Sequence, residues 1–253
     1  MVEDLPVARP RAFFCPRVEQ MARRIGEVNQ IAQAKRNVRP RLSPPRYRTL
    51  TDRAARVPKG FLRRGEQAPN LEGFLFPATY EFTKRTTTRQ LVSSQLAAFE
   101  RSWDKVNMRY ARSKNLTPYD VLIIASMIEK EVVVAKERPL VAAVIYNRLR
   151  NDMPLGIDAT IRYGLDVPGT EPLKRSDLES NSPYNTRRRL GLPPTPIANP
   201  GLVSMRAAAD PARVDYLYFV RIRDSNRHFF TASAAEFEAY TPYYYSSYEF
   251  EDE

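Results

Sequence analysis

The chain has 253 residues and a mass of 29.1 kDa, room for one large domain or a domain with an appendage, and its 43% hydrophobic and 27% charged residues are those of a globular protein. One cysteine, Cys15, and one histidine, His228, exclude an intrachain disulfide framework, multi-Cys or multi-His zinc sites and any chemistry that needs two histidines. The net charge of +11 sits almost wholly in the first quarter: residues 1–70 hold 16 Lys and Arg against 6 Asp and Glu, and residues 71–253 hold 24 against 23.

That distribution makes the basic character a property of an extension and not of the folded body, so no nucleic-acid partner is expected. Residues 1–69 are punctuated by Pro6, Pro10, Pro16, Pro40, Pro44, Pro45, Pro58 and Pro69 and read as a weakly ordered basic arm. One amphipathic helix is predicted within it, where Val18, Met21, Ile25, Val28 and Ile31 recur at helical spacing. No apolar run is long enough to span a membrane, and the opening residues lack the form of a signal peptide.

From Leu71 an extended segment rich in Phe and Tyr leads into a core, and a helix follows over Gln90–Val106 with Leu91, Leu96, Phe99 and Trp103 as its stripe. Two further helices are predicted, over 118–135 and 139–150. Residues 150–201 read as long ordered loops with short elements, which in a compact domain points to function. A short helix near Leu202–Ala209 precedes a strand from Asp215, a turn at Asp224-Ser-Asn-Arg and a return strand from His228, making a hairpin. The expected fold class is therefore α+β, a helical catalytic part with a small antiparallel sheet, divided as a 1–69 arm, a 70–240 domain and a 241–253 acidic, Tyr-rich tail.

The helix opening at Thr117 carries the most chemistry. Thr117 and Asp120 form a capping box, and Pro118 suits the first turn. At 100° per residue Val121, Ala125, Ile128 and Val132 define the buried face; Glu129 falls on its shoulder at about 80°, and Glu131 lies beside the opposite edge. A carboxyl on an apolar shoulder is favoured in its neutral form, which is what a general acid needs. The residues alone leave open the alternative that Glu129 pairs with a base such as Lys136 or snorkels to solvent. In the loops Asn147, Asp158, Thr160, Tyr163, Tyr184, Asn185 and Thr186 form an inventory of amides, hydroxyls and aromatic faces suited to sugars, each also at home as a turn or cap residue. His228 reads as a hydrogen-bonded structural histidine, and no nucleophile elbow or phosphate loop is present.

Several stretches resemble one family, the endolytic murein transglycosylases (YceG-like). They are Leu71-Glu-Gly-Phe-Leu-Phe-Pro-Ala-Thr-Tyr80, Ala125-Ser-Met-Ile-Glu-Lys-Glu131, Val144-Ile-Tyr-Asn-Arg-Leu149, Met153-Pro-Leu-Gly-Ile-Asp-Ala-Thr-Ile-Arg-Tyr-Gly164, Ser182-Pro-Tyr-Asn-Thr186, Gly191-Leu-Pro-Pro-Thr-Pro-Ile-Ala-Asn-Pro-Gly201 and Tyr216-Leu-Tyr-Phe-Val220. The resemblance implies that Glu129 is the catalytic acid and that peptidoglycan strands are cut between N-acetylmuramic acid and N-acetylglucosamine without water, leaving 1,6-anhydro ends. From that inventory Asn147, Asp158, Thr160, Tyr184 and Asn185 are the expected substrate contacts, and no metal or organic cofactor is indicated; the resemblance further implies peptidoglycan synthases as partners and a membrane-anchored protein with an extracytoplasmic catalytic domain. A muramidase using Asp158 as a second carboxylate and a non-catalytic glycan-binding scaffold are the alternatives. Residues 1–70 resemble neither the membrane helix nor the LysM-like subdomain usual in the family; Gly156 stands where relatives often have Gln, and Ala78 where they often have Asp.

Overall fold

The computed structural model describes residues 17–52, 57–63 and 68–241. They divide into two compact units, the first comprising the chain up to Val106 together with Ala198–Leu202, the second Asn107–Ile197 and everything from Val203 onwards.

The first unit is built on α1 (Val18–Arg36), α2 (Pro44–Thr51) and α3 (Thr88–Trp103). Helix α1 occupies the periodic stretch and continues five residues past it, to Asn37 in the left-handed region, which closes it through main-chain bonds to Ala32 and Gln33. Helix α2 falls where the composition suggested no element. Ser43 caps it, and Pro44 and Pro45 occupy its first positions, where a missing N–H costs nothing. The arginines that made this stretch look like a loose arm include exposed Arg23 and Arg36, while Met21, Ala22, Ile25, Val28, Ala32 and Tyr47 join Leu71, Leu75, Phe82 and Val92 in a single buried core. Phe61, Phe74, Phe99 and Trp103 form an aromatic cluster in the same unit, with ring centroids 4.7–5.9 Å apart. Buried Asn199 stitches the Leu71–Leu75 segment. Its Oδ1 accepts from the Gly73 and Leu75 N–H groups at 2.9 Å, and its amide donates to Glu72 at 2.6 Å.

The second unit holds α4 (Arg109–Ser113), α5 (Pro118–Glu131), a 3-10 turn (Ala135–Glu137), α6 (Arg138–Arg150), α7 (Asp158–Gly164), α8 (Arg175–Leu178), α9 from its second residue (α9 spans Leu202–Ala209), strands β1 (Tyr218–Arg221) and β2 (His228–Thr231), and α10 (Ala234–Tyr240). The hairpin is antiparallel, with Tyr218 opposite Thr231 and Arg221 opposite His228. The α+β expectation holds, and α6 and the hairpin lie where the sequence put them; α5 starts as predicted but stops at Glu131, short of the expected 135, because Val132 turns extended. The short helices α7 and α8 and the terminal α10 were not foreseen. The expected acidic tail lies, beyond Thr241, outside the described residues.

Helix α5 is the axis of this unit. The predicted capping box is formed: Thr117 Oγ1 accepts from Asp120 N at 3.1 Å and Asp120 returns the bond to Thr117 N at 2.8 Å. One departure from the helical wheel is decisive. Every residue from Val121 to Glu129 is buried, so α5 has no solvated face until Lys130. Helix α6 packs against it and ties the hairpin in: Asn147 donates to the Val214 and Tyr216 carbonyls at 2.9 Å each, Arg148 Nε to Leu217 O at 2.6 Å, and Tyr146 to Ala208 O at 2.7 Å.

Candidate active site

Glu129 sits in the last turn of a helix enclosed on all sides, and its side chain keeps only 6% of its exposure. A carboxylate withdrawn from water this far needs a partner. Its partner is Arg138, whose Nη2 lies 3.4 Å from Oε1, and not Lys136, which is exposed on the intervening turn. Arg138 is the first residue of α6 and is itself almost wholly buried; its Nε, equally enclosed, has no hydrogen-bond partner among the described residues. The site thus joins one carboxyl to one permanently charged guanidinium in a low-dielectric setting, where a fixed charge acts strongly on its neighbour.

Immediately before Arg138, Glu137 is buried and faces β2. Its Oε2 lies 2.8 Å from His228 Nδ1, its Oε1 accepts the His228 backbone N–H at 3.2 Å, and Arg227 Nε stands 3.9 Å away. His228 is therefore the hydrogen-bonded histidine that the sequence suggested, with a carboxylate as its partner.

A second cluster lies where the end of α5 meets the start of α7. Glu131 is partly covered, and its carboxyl accepts the Ala159 N–H. Burial, reinforced by the Asp158 charge, pushes this carboxyl up to about 7, against the opposing pull of the Ala159 N–H, Arg187 and Arg162. Asp158 is paired with Arg187 at 2.7 Å. Behind them Thr160 and Thr186 join hydroxyls at 2.9 Å, Thr186 also accepts from Ile157 N at 3.0 Å, and the Tyr163 and Tyr184 rings meet at 5.0 Å.

Five loop and helix residues were expected to touch substrate, and the structure distributes them unevenly. Asp158, Thr160 and Tyr184 gather around α7 and the 182–187 loop, with Tyr184 half-buried and its hydroxyl 2.8 Å from Thr195. Asn185 does not offer the amide that developing charge was expected to meet. It is fully buried, both Leu178 O and Ser180 O take its Nδ2, and its Oδ1 is bound by the Arg187 N–H. Asn147 spends its amide on the strand approach to β1. Thr160 is buried and closes on Ile157 O at 2.6 Å. Gly156 has φ +63° and donates its N–H to Thr186 O at 2.9 Å, so a side chain there would strain the loop.

Two site residues escaped the sequence reading. Arg138 was invisible because it follows a break between helices; the one available signal was a charged Glu137-Arg138 pair heading an apolar helix. Glu131 was placed beside the opposite edge of the buried face and given no role.

The sequence profile of the YceG-like family matches residues 16–242. The chain belongs to that family. The match begins inside the stretch whose composition suggested a basic arm, in keeping with the packing of α1. A solved YceG-like protein of Listeria monocytogenes superposes on 94% of this YceG-like chain and 75% of that one, with a TM-score of 0.73 and 29% identity. Curated relatives named endolytic murein transglycosylase are 38% identical, over 150 residues in Bacillus subtilis and 157 in Streptococcus pneumoniae strain R6; each alignment covers 59% of this chain. They cover 41% and 28% of those proteins, so the chain spans less than half the length of these relatives. No helix among the described residues is long and apolar enough to cross a membrane.

Proposed function

We propose that this YceG-like chain is an endolytic murein transglycosylase, a lyase that cuts peptidoglycan strands between N-acetylmuramic acid and N-acetylglucosamine with Glu129 as its single acid and base. The observation that carries the reading is the burial of Glu129, at the end of a helix covered from Val121 onwards, because an apolar setting favours the neutral carboxyl that donates a proton. Glu129 in its neutral form donates its proton to the glycosidic oxygen as the C1–O bond breaks and positive charge grows at muramic C1. The carboxylate left behind lies against Arg138, which stabilises its charge. It then takes the proton of the same sugar's C6 hydroxyl, whose oxygen closes onto C1 to give the 1,6-anhydro end. Protons balance, no water is consumed and the carboxyl is regenerated. Glycosidases that admit water use a second carboxylate to manage it; an internal hydroxyl removes that need.

Tyr184 and Tyr163 would supply ring faces to the strand, and Asp158 a hydroxyl acceptor, beside the α7 cluster. The substrate class implies action outside the cytoplasm, at the membrane where strands are made, alongside the synthases that make them.

Mass spectrometry of digested murein tests the reading. Wild type should release fragments with anhydro ends, and Glu129→Gln, which keeps shape but cannot cycle a proton, should lose about 10²–10⁴ in rate. Reducing ends would mark a hydrolase with Asp158 as a second carboxylate that manages water. Strand binding without turnover would mark a glycan-binding scaffold.

A further inference from the structure

The Arg138–Glu129 contact is long for a charge-assisted bond, 3.4 Å against the roughly 2.7–2.9 Å usual for such pairs. The Nε of the same guanidinium is buried without a hydrogen-bond partner among the described residues. Its own hydrogen bonds therefore hold Arg138 weakly, and its position depends on the main chain at 137–138. What fixes that main chain is the preceding residue. Glu137 is buried and grips β2 twice, at the imidazole of His228 and at its backbone N–H, while the next residue, Pro139, accepts from Ala212 N at 3.0 Å. The His228 side chain is itself only 6% exposed, so this is an interior clasp and not a surface ion pair.

We infer that Glu137 and His228 are positioning residues: their bond sets Arg138 against Glu129, so the hairpin governs proton transfer at that carboxyl through Arg138. The inference rests on Glu129 being the acid, as proposed above. An arrangement of this kind acts on the chemical step, because small displacements of a catalytic group cost large factors in rate.

Turnover of murein by the purified chain gives the first test. His228→Ala should lower kcat about tenfold, a loss of about 1.4 kcal/mol, with KM changed less than about twofold. His228→Asn, whose Nδ2 can take the place of the imidazole Nδ1, should recover most of the rate. Made on top of Arg138→Met, His228→Ala should cost nothing more, since residues acting through one partner are not additive. Glu137→Gln, close to isosteric, repeats the test should His228→Ala fail to fold. Independent losses in the double variant, or a rise in KM alone, would overturn the inference.

The carboxyl carbon resonance of Glu129, assigned by its absence in Glu129→Gln, gives a readout that needs no turnover. It should move in the same direction in Arg138→Met and His228→Ala; a resonance that shifts only in Arg138→Met removes the clasp from the mechanism. An active Glu129→Gln protein would sink the proposed function while leaving this spectroscopic result to decide the clasp.

Discussion

Gly164 closes α7 with a hydrogen where any other residue would place a Cβ. A Cβ there would stand 2.6 Å from both Ser182 Oγ and Tyr184 Cβ, and the second of these atoms is fixed to the loop main chain. The 182–186 loop would have to retreat, carrying Tyr184 away from Tyr163 and disturbing the turn in which Asn185 holds Leu178 and Ser180. Gly164→Ala should therefore cost about 1–3 kcal/mol, the range for overpacking a filled site. Gly169, which has nothing within 4 Å of its hypothetical Cβ, supplies the control. Gly169→Ala should leave the urea midpoint almost where it was, and an equal loss in both variants would mean that loss of glycine, not crowding, sets the cost.

Helix α5 shows at the next scale what local sequence can and cannot say. Its beginning was legible because a capping box involves only residues three apart: Thr117 and Asp120 satisfy each other's main chain wherever the helix lies. Thr117→Ala should cost about 1 kcal/mol in chemical unfolding, and Thr117→Ser, which keeps the hydroxyl, should cost far less. The surroundings of α5 were not legible. A wheel assigns one wet side to a helix, and this one is covered on every side from Val121 to Glu129, so the shoulder position of Glu129 was right about burial, while the base weighed for it, Lys136, is exposed and Arg138 takes that place. Arg138 lies nine residues away beyond a turn, a pairing decided by how α5 and α6 pack and by no spacing rule. Pro44 and Pro45 were read as breakers, yet they start α2 behind Ser43. The short helices α7 and α8 were missed because side chains, not periodicity, pin the loops around them, as when Arg162 binds both Pro168 O and Glu171 O.

At the scale of the whole molecule, stability should carry the mark of Glu131. Its carboxyl has an ordinary value of 4.5 in the open chain and about 7 in the fold, raised by burial and then by Asp158. Below pH 4.5 both states hold the proton and Glu131 contributes no pH dependence. Between 4.5 and 7 the native state keeps a proton that the unfolded chain has released, so each step up in pH weakens the fold. Above 7 both states are ionised and the loss is complete; the gap in proton affinity corresponds to about 3 kcal/mol. Glu131→Gln keeps the volume and an oxygen for the Ala159 N–H but carries no charge. Denaturant unfolding of the two proteins should give stabilities that agree in pH dependence near pH 4 and diverge through 7, with the variant ahead by up to about 3 kcal/mol at pH 8. The advantage should accrue inside that window, because Asp158 and Arg187 remain paired in both proteins. A stability difference of the same size at pH 4 and pH 8 would mean that Glu131 acts as an ordinary packing residue and that its charge is not withheld by the fold.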